Sequence, residues 1–159
     1  MLRWAIRMAR LQRTGKLVVA ALTPLIEQSR RRLNVVSATV WLDPYMLGFM
    51  AMLITALARS EQRSLSDADL CFIQAQAWSD LTELSADLFG REVLLLAEAD
   101  DPYFFQGCSD AEGVAQALAR RSVLQQLDAL DVGVDLDAWE MTFDARMASL
   151  AAAAAPPRP

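Results

Sequence analysis

The chain has 159 residues, 54% of them hydrophobic, and a net charge of -5, which is enough apolar material for one buried core and far more than a disordered chain carries. It contains no histidine, so Ser/His nucleophile systems and His-bearing zinc sites are excluded. Charge is split along the chain: up to Leu33 eight basic residues face one acid, giving +7, and from Asn34 onward seven face nineteen, giving -12.

Residues 2 to 13 place Trp4, Met8 and Leu11 at helical spacing, with arginines around the remaining surface. The pattern predicts a short basic helix that Gly15 interrupts, followed by a second helix from Thr23-Pro24 to about Leu33. Lys16 to Leu22 between them is ambiguous, and Val18, Val19 and the run Val35, Val36, Thr39, Val40 would also suit short strands; helix or extended connection is the preferred reading. The basic start followed by Leu17 to Leu22 has the outline of a targeting segment, but Glu27 and Arg30-Arg31-Arg32 follow at once and no cleavage site is placed to match.

Asp43 and Pro44 open the helix around which the chain is organised, since Asp43 can accept from first-turn N–H groups and Pro44 suits the first helical position. From Pro44 to Ala58 this helix is uncharged on every side, so other helices must enclose it. Gly48, Ala51, Thr55 and Ala58 share one face and predict a close neighbour there. The uncharged run is too short for a membrane span, which needs roughly 20 residues.

Arg59 to Leu65 reads as a link, and Ser66 with Asp69 as a shortened capping box opening a helix to Leu88. Its apolar stripe is Leu70, Ile73, Ala77, Leu81, Leu84 and Leu88, with Asp80, Glu83 and Asp87 sharing another face. Gly90 predicts a stop, and Arg91 to Ala99 a further short helix whose Val93-Leu94-Leu95-Leu96 is too apolar for solvent. Asp100 to Gly107 reads as a loop with Tyr103, Phe104 and Phe105 as either a core plug, the preferred reading, or an exposed anchor for a partner; its Asp-Pro-Tyr repeats the opening at Asp43 as reuse of a good cap. Ser109 with Glu112 is a full capping box for a helix carrying Val114, Ala117, Leu118, Leu124 and Leu127. A turn follows at Asp131-Val132-Gly133-Val134. The last helix starts near Asp135 or Asp137, with Leu136, Trp139, Phe143, Met147 and Leu150 on its buried stripe.

The expected fold is an all-α, single-domain bundle of six or seven helices around the buried 44–58 helix, spanning residues 1–150 with a basic segment at 1–33 and a flexible Ala/Pro tail at 151–159. Cys71 and Cys108 read as reduced thiols, too few for a disulfide framework. No phosphate loop, redox cysteine pair, EF-hand register or nucleophile elbow is present, so no catalytic, cofactor or metal residue is assigned. The sequence is therefore read as a non-catalytic, cytoplasmic protein that binds another protein or itself. Arg7, Arg10, Arg30, Arg31 and Arg32 are its candidate partner or anion contacts. A membrane-peripheral protein held by the basic N-terminal helix on an anionic surface is the alternative. A carboxylate-metal enzyme using Asp80, Glu83 or Asp87 is a further one. Nucleic acid is disfavoured by the acidic body. The fourteen arginines, single lysine and abundant alanine fit a GC-rich, bacterial source.

Overall fold

The structure, a computed structural model, describes residues 1–33, 38–127 and 136–154, without the side chains of residues 120–127, 136 and 154. Helix α1 (Leu2–Leu33) is followed by a 3-10 turn (Ala38–Leu42), α2 (Pro44–Glu61), α3 (Asp67–Thr82), α4 (Ala86–Glu98) and α5 (Pro102–Leu127). A last rod is continuous through α6 (Leu136–Trp139), a π turn (Glu140–Asp144) and α7 (Ala145–Ala154). Among the described residues there is no strand, and the fold is the expected single-domain helical bundle.

Helix α2 is its axle. Asp43 accepts from the backbone N–H groups of Tyr45 and Met46, as the Asp-Pro opening requires, and every residue from Tyr45 to Ala51 is buried. Its small face receives two neighbours. At Gly48 a Cβ would overlap the Phe104 carbonyl oxygen, and at Gly107 a Cβ would overlap the Tyr45 carbonyl oxygen, so α2 and α5 touch backbone to backbone at reciprocal glycines. Position 48 meets 104 while 45 meets 107, so the two paired stretches run in opposite directions. The Cys108 thiol donates to the Gly48 carbonyl across the same contact. One turn further along α2, the Gln74 amide of α3 reaches the Ala51 carbonyl and the Thr55 hydroxyl. Around the other side, Phe49 packs against the stacked pair Trp139 and Phe143, ring centroids 6.0 and 5.9 Å away, which seats the C-terminal rod on α2.

Several boundaries differ from expectation. Gly15 does not interrupt a helix and Pro24 does not start one: α1 runs unbroken for 32 residues, because Leu11, Val18, Leu22, Leu25 and Ile26 bury one continuous stripe. That packing outweighs the local cost of a glycine and a proline. The helix from Ser66 ends at Thr82, not Leu88. Glu83 there turns left-handed (φ 64°), the Thr82 hydroxyl accepts from the Leu84 N–H, and α4 restarts after Ser85. Gly90 consequently lies inside α4 and stops nothing. Asp101 caps α5 by accepting from Tyr103 and Phe104, so the expected loop is the first turns of a helix, and Ser109 with Glu112 lies within it.

Of the three consecutive aromatics only Phe104 is buried; Tyr103 and Phe105 are exposed, as are Leu94 and Leu95 of α4, which were expected inside. The stripe Trp139, Phe143 and Met147 is buried as the spacing predicts. Thr39 and Val40 belong to the 3-10 turn, and residues 151–154 of the expected tail are helical. The expectations for Val35, Val36, the 131–134 turn, Leu124, Leu127, Leu136 and residues 155–159 fall outside the described residues, for the side chains or altogether.

Candidate functional site

The five arginines singled out by sequence divide into two groups. Three are engaged by the body of the protein. Arg7 donates to Asp69, 2.6 Å from Nη2 to Oδ1 and 2.9 Å from Nε, and so ties α1 to the first turn of α3. Ser66 and Asp69 complete the capping box there, and the Ser66 hydroxyl, then Arg7, hold the Asp69 carboxyl below the usual carboxylate range. Arg30 donates to the Leu81 carbonyl at the far end of α3. Arg32 bridges Glu140 and the buried Asp144 in the π turn, beside the Trp139 indole N–H that donates to the buried Ser29 hydroxyl at 2.8 Å. These contacts bind the basic helix to its own acidic body at both ends.

Arg10 and Arg31 are exposed, and among the described residues no hydrogen bond or ion pair engages them, nor Arg3, Arg13 or Lys16. The apolar residues beside them are more telling. Trp4, Leu11, Val18 and Leu25 follow one another at seven-residue intervals on one face of α1. The last three are at most 6% exposed, whereas Trp4 is 69% exposed. A helix of 32 residues extends for about 48 Å, twice the roughly 24 Å of the 16-residue α3 beneath it. The stripe that the body buries therefore continues past the body's edge. Leu2 and Ile6 are exposed on the same turns, so the beginning of α1 presents three large apolar side chains among cations.

A second exposed apolar patch lies at the corner between α4 and α5. Leu94 and Leu95 of α4 and Tyr103 and Phe105 of α5 are exposed on either side of a link whose residues include Glu98, Asp100 and Asp101; residues 94 to 105 themselves contain no basic residue, and the cation beside them is Arg146. Sequence reasoning placed the leucines in the core and preferred the core for the aromatics; for Tyr103 and Phe105 the structure has the other reading, exposure. Nearby, Arg146 makes a paired contact with Asp43 (3.0 Å) and stands over the Tyr45 and Tyr103 rings, while the Tyr45 hydroxyl donates to Asp110 at 2.8 Å. Burial, with the Asp110 contact next, raises the Tyr45 phenol well above its ordinary value. This network joins α2, α5 and α7, and it is a brace whose members are satisfied by one another.

Catalytic arrangements fare differently. Asp80, Glu83 and Asp87 are all exposed and, because α3 ends at Thr82, they stand on α3, on its cap and on α4 instead of on one helix face. Among the described residues no three His, Cys, Asp or Glu side chains converge as a metal site would require. Cys71 is exposed and Cys108 part-buried, both free, and burial pushes the Cys108 thiol upward. Among the described residues no helix is long and apolar enough to cross a membrane. Comparison with protein-family models, with curated proteins and with solved structures finds no match to the chain.

Proposed function

We propose that this is a non-catalytic interaction protein that docks through the first turns of α1. The observation that carries the reading is Trp4, set in phase with a buried stripe yet standing in solvent, with Leu2 and Ile6 exposed on the opposite face of the same turns. Isolated exposed apolar residues are ordinary, but three large ones exposed around two successive turns, beside unpaired arginines, mark a contact element. Its complement is an exposed apolar surface with an excess of carboxylates. The α4–α5 corner of a second copy has that chemistry, so head-to-tail self-association is the form of docking the chain's own surfaces fit best.

Sedimentation of the full chain across a concentration series tests it. Assembly should grow with concentration, weaken in high salt, and disappear in Arg3→Glu/Arg10→Glu. Mixing that variant with Asp100→Lys/Glu98→Lys, itself non-assembling, should restore a dimer and nothing larger, because each copy keeps one intact half of the contact. A chain that stays monomeric at about 100 µM, where even a micromolar contact would be filled, overturns self-association.

The second reading is an anionic lipid surface, favoured by Trp4, Leu2 and Ile6 lying among Arg3, Arg10 and Arg13 on one short helical stretch. Co-sedimentation with vesicles containing phosphatidylserine separates the two. Salt-sensitive binding by a monomer, lost in Trp4→Ser, would transfer the function from protein contact to membrane contact.

A further inference from the structure

Between α1 and α3 a groove of about 200 Å³ opens at Gly15, and the glycine itself is the unusual feature. Gly48 and Gly107 are dictated by packing, since a Cβ at either would collide with a backbone carbonyl. A Cβ at Gly15 would meet nothing within 4 Å, as at the helical Gly90 and Gly113, but those two are exposed whereas Gly15 is buried. Inside a helix glycine is less stable than alanine, and nothing in the protein occupies the space that its missing side chain leaves. Avoidable instability of this kind is often found where stability is traded for function, and here it coincides with a groove.

The lining has a defined chemistry. Leu11 from α1 and Phe72 and Ile73 from α3 supply apolar walls, with Lys16 on one rim and Asp80 on the other. These two opposite charges face one groove without forming an ion pair with each other. We infer that the groove binds a small zwitterion with an apolar tail, of the class of free aliphatic or aromatic amino acids. Its carboxylate is held by Lys16, its ammonium by Asp80, and its side chain fills the space above Gly15. A cavity of about 150 Å³ accepts a benzene-sized group, so the space here suits such a tail. This site is independent of the docking reading: Trp4, Arg3 and Arg10 do not line it.

Titration of the full chain with L-leucine and L-phenylalanine, followed by amide NMR and calorimetry, tests the inference. Saturable binding is expected with a dissociation constant of about 1 mM or below, with shifts centred on residues 11–16 and 72–80. Leucinamide, which lacks the carboxylate, and N-acetyl-leucine, which lacks the ammonium, should each bind at least about tenfold more weakly. Lys16→Met should bring leucine down to the level of leucinamide, and Asp80→Asn should bring it down to that of N-acetyl-leucine. Gly15→Leu, which fills the space, should abolish binding while retaining the helical circular dichroism of the parent. The inference fails if neither amino acid gives saturable shifts at about 20 mM, if the blocked forms bind as well as the free ones, or if folded Gly15→Leu still binds.

Discussion

The contact between α2 and α5 and the beginning of α1 obey opposite rules. At the first, each residue is fixed by its neighbours: Gly48 because Phe104 leaves no room for a Cβ, Phe49 because the stacked Trp139 and Phe143 rings pack against it, Asp43 because two N–H groups and Arg146 converge on it. At the second, Leu2, Trp4 and Ile6 are large, apolar and uncovered, and Arg3 and Arg10 have no partner among the described residues. Folding accounts for the residues of the first region and leaves those of the second unexplained. Where internal packing ceases to account for side chains, an external contact becomes the economical explanation of them.

Substitutions that add one carbon sharpen the contrast most. Gly48→Ala or Gly107→Ala must push two helices apart against a filled interior, and each is expected to lower stability by about 3 kcal/mol or more in urea unfolding. The aromatic cluster behind them comes next. Phe143→Leu removes ring contacts with Trp41, Phe49 and Trp139 and should cost about 2 kcal/mol by the same assay. If these variants unfold at the parent's urea concentration, the backbone contact at the glycines is not real.

Changes in α1 should behave otherwise. Gly15→Ala is expected to raise stability by about 0.5–1 kcal/mol, since the added methyl relieves a helix interior of its glycine and collides with nothing. Arg3→Glu/Arg10→Glu should stay within about 0.5 kcal/mol of the parent in unfolding while removing assembly. Acid unfolding offers a further comparison, between the α3 cap that Arg7 engages and Arg10, which engages nothing among the described residues. Because the folded state depresses the Asp69 pKa, its contribution is present above the unfolded carboxylate value near pH 4 and is lost as the pH falls through the lower folded value. Asp69→Asn should therefore flatten the fall in stability below about pH 4, whereas changing Arg10, which has no carboxylate partner, should leave that slope alone.

How much of this was legible in the sequence follows the range of the interactions. Caps are local, so Asp43-Pro44 and the Ser66–Asp69 box were readable and are made as read. The all-apolar 44–58 segment announced its own burial, and the Gly48, Ala51, Thr55 face announced close neighbours. Gly15, Pro24 and Gly90 misled because their local penalties are small beside the burial of stripes that continue on either side of them. The break at Glu83 went unseen because its signals, the Thr82 hydroxyl and Ser85, are weaker than the leucine periodicity that runs across it. The division of the arginines was beyond reach: Asp69 is 62 residues from Arg7, and only the assembled bundle shows which cations the body engages. Trp4 had the right phase to be core. That it projects depends on the length of α1 beyond α3, which required the true helix ends.

The claim on which the rest depends is that the interior is closed and the start of α1 is open, and the four tryptophans report on it directly. Trp41, Trp78 and Trp139 are at most 2% exposed, against 69% for Trp4. Acrylamide quenching of tryptophan fluorescence, compared between the full chain and Trp4→Phe, is therefore the decisive measurement. The expected result is a readily quenched fraction in the parent that vanishes in Trp4→Phe, with the remaining emission blue-shifted and resistant to quencher. Quenching that persists undiminished after Trp4 is removed would mean that solvent reaches the interior, and the contrast between the two regions would be lost.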